Sequence, residues 1–311
     1  GNLLVEYYKA KQRRSTLLGD KGGWLTKAYE YEPGKYKIDA DANPCGTNTH
    51  RCTHSTVVNV PKADDSVYYG RQFRSLFISP DTWVGLGGDA SQLEFRCGLS
   101  YMNAVDMIKL VADPEQDVHQ TMWDGMTPYM ESRSNTKNVV YGSIYGATDL
   151  KLGNMADHIP PGMTKTEVGG EIKKVLLEYM PGLGGFIETI KDRASRGYLI
   201  GIDGFPVYIR RKDGRLLLHT AVNTLLQHCG SMVVKRATVL FHKETKILQI
   251  DDKFRQVGHF HDEVQTVADP EYAPKIGQVF IDSLRLAGET YGLSCPMDGE
   301  FKIGKSWAET H

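Results

Sequence analysis

Apolar side chains recur at steps of three and four residues along much of the chain, which is the spacing of amphipathic helices. Prolines interrupt this pattern in the middle of the chain and separate one candidate helix from the next. Apolar residues near the N-terminus, followed by basic ones, predict a first helix that ends in a cationic segment. The whole pattern predicts helices over residues 3–14, 92–102, 118–126, 133–145, 165–180, 183–196 and 219–242.

Shorter segments have the composition of strands. The segment DTWVGLGGDA, residues 81–90, predicts a strand that runs into an acidic residue. Two segments predict hairpins, residues 198–210 around the turn DGFP and residues 257–267 around HDE. Since no repeat or low-complexity segment divides the chain, we expect one mixed α and β body with a helical lobe inserted in it.

The composition is that of a globular protein. The 311 residues are 41% hydrophobic and 24% charged, with 37 basic against 38 acidic side chains. The net charge of −1 gives no general case for nucleic-acid binding, although a basic surface can be balanced by an acidic one elsewhere. The length suggests about two structural units or one elaborate unit.

The cysteines and the apolar segments bear on the cellular compartment. The five cysteines are widely spread without a CxxC pair, so we expect them to be reduced and mostly structural, in neither a disulfide framework nor a zinc site. No apolar run has the length of a membrane span, and the N-terminus does not resemble a signal peptide. The sequence therefore predicts a soluble, intracellular protein with no membrane partner.

Two aspartates stand at the ends of predicted strands. Asp89 closes the strand over residues 81–90, and Asp262 lies at the tip of the second hairpin. Two carboxylates at adjacent strand ends suit two divalent cations about 3.5–4 Å apart, and hard oxygen ligands favour magnesium. The alternative is that each aspartate is a turn former or a helix cap, which is the common role of an isolated aspartate.

The helix predicted over residues 133–145 carries polar and aromatic side chains in one stripe. Arg133, Lys137, Tyr141 and Tyr145 are four residues apart, so they project along one slowly drifting side of the helix. Arg and Lys can hold the phosphates of a nucleoside triphosphate, and a ring one turn further on can stack against a base. The alternative is a solvated basic turn followed by two core tyrosines.

These segments resemble, in order along the chain, motifs of the family A DNA polymerases, the class of bacterial DNA polymerase I. They look most similar to the replicative polymerases of short-tailed phages, and the resemblance runs from about residue 46 to residue 311. It implies an α+β fold: a polymerase palm, with an antiparallel sheet and flanking helices, and an inserted helical fingers subdomain, with thumb and exonuclease absent. The motifs are DASQLEFR, RSNTKNVVYGSIYG, HTAVNTLLQ and HDEVQ.

The resemblance also implies a domain organisation. Residues 1–20 are expected to be a remnant of a thumb helix, residues 21–110 the first part of the palm with the metal-binding motif at 89–96, residues 111–215 the fingers with the nucleotide-binding helix 133–146, and residues 216–311 the second part of the palm with the HDE motif at 261–263. The chain is then either a fragment or one half of a split polymerase, whose second chain supplies the thumb and the 3′ to 5′ exonuclease.

The resemblance assigns the catalytic and nucleotide-binding roles. Asp89 and Asp262 would bind two Mg²⁺ ions, and Glu263 would be a third catalytic residue. Glu94 would exclude ribonucleotides by occupying the space of a ribose 2′-hydroxyl. A tyrosine at position 141 would make the enzyme sensitive to dideoxynucleotides. The residues expected to bind the nucleotide are Glu94, His119, Arg133, Lys137, Tyr141 and Tyr145.

The DNA-binding residues implied by the resemblance are Arg51, Gln92, Asn223, Gln227 and His261. In relatives, the amides at the positions of Asn223 and Gln227 hydrogen-bond minor-groove acceptors, and the arginine at the position of Arg51 reaches the minor groove at the primer end. The chain departs from its relatives in three places: His50 stands where a glycine is usual, Ser134 where an aspartate is common, and His219 where some relatives have an arginine. A DxE triplet at Asp298 and Glu300 is interpreted as structural.

The function implied is template-directed extension of a DNA primer from deoxynucleoside triphosphates, with release of pyrophosphate. Two alternatives stay open. A single-subunit RNA polymerase shares the two aspartates and the Arg, Lys and Tyr stripe, although Glu94 argues against it. A catalytically idle subunit would bind only the primer-template duplex and a partner chain. The expected partners are primer-template DNA and deoxynucleotides, and the expected compartment is the cytoplasm, that of the host if the protein is viral.

Overall fold

A computed structural model describes residues 2–20, 22–64 and 67–311. Among these residues, no helix is long and apolar enough to cross a membrane. The helices are α1 (Asn2–Leu18), α2 (Trp24–Lys27), α3 (Gly70–Ser75), α4 (Leu93–Met102), α5 (Val105–Ala112), α6 (Val118–Met126), α7 (Arg133–Ile144), α8 (Asp149–Gly153), α9 (Lys165–Tyr179), α10 (Leu183–Ala194), α11 (Ala221–Ile247) and α12 (Ala273–Thr290).

The strands are short except in the central sheet. They are β1 (Tyr29–Glu32), β2 (Lys35–Lys37), β3 (Ala42–Asn43), β4 (Thr53–His54), β5 (Val84–Ala90), β6 (Tyr198–Ile200), β7 (Pro206–Tyr208), β8 (Arg211–Lys212), β9 (Arg215–Leu216), β10 (Phe254–Phe260), β11 (Glu263–Ala268) and β12 (Gly299–Gly304). The predicted hairpins correspond to the pairs β6–β7 and β10–β11.

Side-chain caps begin several helices of the middle region. Asp117 accepts hydrogen bonds from two backbone amides at the start of α6, and Ser132 accepts one at the start of α7. At α9, Thr164 and Glu167 form a capping box. The turn after α7 uses Gly146, whose φ of 78° lies in the left-handed region that glycine adopts without steric cost. These local signals explain why the helix starts follow the sequence closely.

The central sheet has the strand order β10-β11-β5-β12, and all neighbouring strands are antiparallel. In this register Glu263 of β11 and Glu300 of β12 both lie opposite Asp89 of β5. The hairpin tip between β10 and β11 therefore reaches the same end of the sheet as the last residues of β5. This register positions the candidate carboxylates.

Helix α12 packs against β5 and β12 of the sheet and against α11, whose Phe241 ring lies 4.9 Å from that of Phe254 on β10. A Cβ on Gly88 of β5 would lie 2.5 Å from the ring of Phe280, so this glycine allows α12 to approach the strand. The Phe280 ring meets that of Phe241 on α11 edge to face, with the centroids 5.9 Å apart. Helix α11 also contacts α4, which follows β5 directly.

The helices between α5 and α10 form a second group with its own buried side chains. Contacts join α6, α7, α8 and α9 to one another, and the buried residues include Met122, Met126, Val139, Ile172 and Leu176. This group follows the first part of the sheet in sequence and precedes its second part. The expected fold class is confirmed: an α+β palm with an antiparallel sheet and flanking helices, and an inserted helical fingers subdomain. No thumb or exonuclease domain is evident among the described residues.

Candidate active site

The antiparallel pairing of β5 with β11 brings Asp89 and Asp262 to one end of the sheet. Glu263 lies directly opposite Asp89, and the backbone amide of Ala90 donates a hydrogen bond to the carbonyl of Asp262 at 3.1 Å. Asp262 itself occupies the tip of the β10–β11 hairpin, beside His261, whose φ is 64°. The two strand-end aspartates are therefore neighbours, although 172 residues separate them in sequence.

The electrostatics of this cluster favour a cation. Burial and the neighbouring charges of Asp262 and Glu263 raise the pKa of Asp89 to about 7, and Glu300 adds to the effect. Glu300, which the sequence led us to interpret as structural, thus lies close enough to Asp89 to influence its ionisation. A carboxylate group with this much negative charge is suited to a hard divalent cation.

Glu263 differs from the two aspartates because the protein itself neutralises it. The side chain is nearly inaccessible; His311 Nδ1 lies 3.0 Å from one carboxylate oxygen, and Trp307 Nε1 donates a hydrogen bond to the other. Arg74 Nη1 lies 3.5 Å away. Burial alone would raise the pKa of Glu263, but His311, Trp307 and Arg74 bring it below its ordinary value.

The sequence analysis missed the three partners of Glu263. Arg74 lies in α3, while Trp307 and His311 lie in the last turn of the chain, and no motif connects them to the HDE segment. Arg74 also lies 4.4 Å from the ring centroid of Trp307. Only the fold brings these groups together, so no local pattern could have predicted the contact.

Glu94 contacts both Arg51, a predicted DNA-binding residue, and Tyr145, a predicted nucleotide-binding residue. The hydroxyl of Tyr145, at the end of α7, donates a hydrogen bond to Glu94 at the start of α4. Arg51 Nη1 lies 3.6 Å from the other Glu94 oxygen. Burial raises the pKa of Glu94, and Tyr145 and Arg51 oppose this rise. The carboxylate is thus held in one place by two side chains from separate segments.

The polar stripe of α7 is already engaged within the protein. The Arg133 guanidinium binds both oxygens of Asp117, at 2.6 and 3.0 Å, and lowers the pKa of that carboxyl. The Lys137 ammonium lies 6.0 Å from the ring centroid of Tyr141, whose ring is 6.2 Å from that of Tyr145. The sequence did not predict the partner of Arg133, although Asp117 stands directly before the predicted helix 118–126.

His119 lies beneath this stripe and is almost fully buried, with 1% of its surface exposed. Its ring packs against Phe95 and Tyr141, with centroid distances of 5.8 and 6.2 Å. Neither ring nitrogen has a hydrogen-bond partner among the described residues. Burial, with a smaller effect of the nearby cations, lowers the pKa of His119 to about 4, so the imidazole is neutral near pH 7.

The predicted DNA-binding amides also carry unused hydrogen-bonding capacity. The Oε1 atom of Gln92 and the Oδ1 atom of Asn223 are buried without a partner in the part of the chain that the structure describes. Gln227 lies one turn further along α11 than Asn223. A Cβ on Gly230 would lie 2.9 Å from Leu93 of α4, so α11 passes closely beside the helix that carries Glu94. Helix α11, which carries Asn223 and Gln227, therefore passes beside the segment that carries Gln92 and Glu94.

Comparisons with known proteins bear on the family and the fold of the chain. Residues 2–309 match the model of DNA polymerase family A. The DNA-directed DNA polymerases of Enterobacteria phage T3 and Escherichia phage T7 are each 30% identical to this chain, over alignments that cover 100% of it and 46% of each relative. DNA polymerase I of Rhizobium leguminosarum is 22% identical, covering 99% of this chain and 30% of its own length. The chain thus spans about half the length of these two phage relatives.

A solved structure has the same fold. It is described as the POL domain of Pol1 from M. smegmatis in complex with DNA primer-template and dNTP, and it superposes with a TM-score of 0.76 at 18% identity, over 92% of this chain and 50% of that one. The family match covers residues 2–309, which is nearly the whole sequence. The chain belongs to DNA polymerase family A.

Proposed function

We propose that this chain is the palm and fingers core of a template-directed DNA polymerase, which adds deoxynucleotides to a primer 3′-hydroxyl and releases pyrophosphate. The observation that carries the proposal is the meeting of Asp89 and Asp262 at one end of the sheet, where burial and neighbouring carboxylates raise the pKa of Asp89 to about 7. The proposed boundaries are residues 1–20 for the thumb remnant, 21–110 and 216–311 for the palm, and 111–215 for the fingers.

The donor set at the sheet end fits magnesium. Asp89 and Asp262 offer carboxylate oxygens, the ligand type that Mg²⁺ prefers, and we propose that they hold two ions. When bound, these ions would supply positive charge to the attacking hydroxyl and to the transferred phosphoryl group. Glu263, whose carboxylate is paired with His311 and Arg74, would hold the HDE turn in position.

The α7 stripe is the proposed binding site for the triphosphate. Arg133 would exchange Asp117 for phosphate oxygens through its planar fork, and Lys137 would add a point charge one turn further on. His119, neutral and without a hydrogen-bond partner among the described residues, can offer a ring nitrogen to a phosphate once the stripe moves.

The sugar and base would lie against Glu94 of α4 and the two tyrosines at the end of α7. Glu94, fixed by Tyr145 and Arg51, would occupy the space of a 2′-hydroxyl and so exclude ribonucleotides. We propose that Tyr141 faces the sugar and base and makes the enzyme sensitive to dideoxynucleotides, while Tyr145 stacks on the template side.

The duplex would lie against α11 and the HDE turn. We propose that Arg51, Gln92, Asn223, Gln227 and His261 contact it, since the buried amide oxygens of Gln92 and Asn223 have no partner in the described chain. Amides of this kind can test pair geometry through minor-groove acceptors that every base pair shares. The polymerase domain of the M. smegmatis relative is described with primer-template and dNTP, which supports the same partners here.

A thumb would have to come from residues outside this sequence. The first turns of α1 expose Leu3, Leu4, Tyr7 and Tyr8, a surface that such a thumb could cover. It would belong either to the same polypeptide or to a second chain that also carries an exonuclease. The phage relatives support action in a cytoplasm, that of the host cell if the protein is viral.

The test is extension of a labelled primer-template by this chain with Mg²⁺ and deoxynucleotides. We expect extension by the wild-type chain and its loss in Asp262→Ala, while Asp251→Ala, which changes an exposed aspartate, retains it. Duplex binding, measured by fluorescence anisotropy, should survive in both variants and weaken steeply with salt, because phosphate contacts dominate. Extension by Asp262→Ala would refute the proposal.

Two other outcomes identify the alternatives. A folded wild-type chain that binds the duplex but never extends it, even after addition of a thumb-bearing fragment of the T7 relative, would be the idle binding subunit. Preferential incorporation of ribonucleotides would point to an RNA polymerase.

A further inference from the structure

Three segments far apart in sequence meet behind the proposed Arg51 contact. His50 lies in the loop before β4, Asp203 in the turn between β6 and β7, and His228 in the second turn of α11. One donor atom from each of these side chains lies within 4.8 Å of the other two. This cluster is separate from the carboxylates of the sheet end and plays no part in the proposed chemistry.

The side chains of the cluster are held firmly. His228 is completely buried, and its Nε2 atom lies 3.0 Å from Asp203 Oδ1. The His50 ring meets the His228 ring edge to face, with the centroids 5.0 Å apart. A Cβ on Gly201 would stand 2.1 Å from His228 Nε2 and 2.7 Å from Asp203 Oδ1, so the backbone can pass this close to both donors only because residue 201 is a glycine.

The backbone of His50 is unusual. Its φ of 57° lies in the left-handed region, where residues other than glycine are uncommon and histidine is one of the more frequent exceptions. Ser231 and Lys235 of α11 both donate hydrogen bonds to its carbonyl and hold the loop in this conformation. This loop conformation places the His50 imidazole beside a buried histidine and an aspartate.

We propose that His50, Asp203 and His228 bind one divalent transition-metal ion of the zinc type, with water in a fourth position. Two imidazoles and one carboxylate are a ligand set that suits zinc and not magnesium. Tetrahedral coordination places donor atoms about 3.3 Å apart. The His228–Asp203 pair already has nearly this spacing, and a donor atom of the half-buried His50 lies within 4.8 Å of both.

The ion would cross-link three parts of the protein. It ties the loop that carries Arg51, the β6–β7 turn and α11 to one another. Since Arg51 is paired with Glu94, the cross-link would fix a residue at the proposed sugar site without contacting the substrate. The competing explanation is a hydrogen-bonded aspartate and histidine with a second histidine packed beside them, and it requires no metal.

The experiment measures zinc binding to the purified chain after chelation, with excess Mg²⁺ present to occupy the sheet-end carboxylates. We expect one equivalent of Zn²⁺ by elemental analysis, a cobalt(II) spectrum typical of tetrahedral coordination, and a melting temperature that rises with zinc concentration. The variants His50→Gly and Asp203→Asn should weaken zinc binding at least about tenfold in chelator competition. Glycine suits the φ of residue 50, so His50→Gly should fold, which circular dichroism checks.

Matched variants identify adventitious binding. His242→Ala removes an exposed histidine from the same helix, Cys45→Ser the exposed cysteine, and Asp262→Ala a sheet-end carboxylate; all three should keep the equivalent of zinc. Absence of zinc binding by the wild-type chain overturns the proposal. Zinc binding that His50→Gly leaves unchanged, or that Cys45→Ser or Asp262→Ala abolishes, overturns it as well.

Discussion

The site has two charged regions, the carboxylates at the sheet end and the cations of α7, and the protein balances their charges differently. At the sheet end, Asp89 faces further carboxylates, and its pKa is raised to about 7. On α7, the cationic Arg133 already holds both oxygens of Asp117. The sheet end therefore keeps an excess of negative charge around Asp89, although Glu263 is paired with His311 and Arg74. On α7 a counter-charge is already in place, and an incoming phosphate must displace it.

This difference separates the energetics of the two ligands. A divalent cation relieves repulsion that exists in the protein alone, so its binding also stabilises the fold. A triphosphate replaces one ion pair with another at an exposed position, where such a pair contributes about 0–1 kcal/mol. We expect substitutions at the sheet end to have large effects on catalysis, and substitutions around Arg133 to tune nucleotide affinity.

The largest effect is expected for Asp89→Asn. The variant should lose primer extension by about 1,000-fold or more, which corresponds to about 4 kcal/mol of transition-state stabilisation. Without divalent cations at pH 8, it should be at least as stable to urea as the wild type, because it removes a carboxylate whose ionisation is opposed by burial and by Asp262. Asp251→Asn is the control for both measurements. A marked loss of stability would mean that the aspartate is already compensated.

The next effect concerns sugar selection by Glu94. Glu94→Ala should increase the ratio of ribonucleotide to deoxynucleotide kcat/KM by about tenfold or more, because the space of the 2′-hydroxyl becomes free. Tyr145→Phe removes only the hydrogen bond to Glu94 and should change the ratio less. Single-turnover incorporation of both nucleotides measures this. Equal ratios in wild type and Glu94→Ala would reject Glu94 as the selective residue.

His119 offers a further test because it is buried next to the cationic side chains of Arg133 and Lys137. Its pKa of about 4 lies below the ordinary value of 6.5, so the unfolded chain binds more protons between these pH values. The stability due to its neutral form is present above pH 6.5 and is lost as pH falls toward 4, by about 3 kcal/mol in total. In His119→Phe, the free energy of unfolding measured with urea should fall between pH 7 and pH 4 by about 3 kcal/mol less than in the wild type. An unchanged pH dependence would contradict the burial of a neutral imidazole.

Much of this arrangement could be predicted from the sequence. Helix α7 and the hairpin around Asp262 follow from periodicity and turn chemistry, which are local signals. Helix α12 was not among the predicted helices, although it packs against β5. The contacts of Glu263 with Arg74 and His311 could not be predicted at all, because they join segments 189 and 48 residues apart that no shared motif connects. The ion pair of Arg133 with Asp117 was not predicted either, because the stripe of α7 was interpreted without a partner from another helix.

The smallest expected effect concerns the ion pair of Arg133 with Asp117. It tests whether Asp117 competes with the nucleotide for the Arg133 guanidinium. In Asp117→Asn the amide can still cap α6, but the charge that holds Arg133 is removed. Since an exposed pair is worth about 0.2–1 kcal/mol, KM for the deoxynucleotide should fall by up to about fivefold with kcat unchanged. Arg133→Ala should raise KM, and adding Asp117→Asn to it should change nothing further. A higher KM in Asp117→Asn alone would mean that Asp117 positions Arg133 for the phosphates instead of competing with them, and the two regions would then differ less than their resting charges indicate.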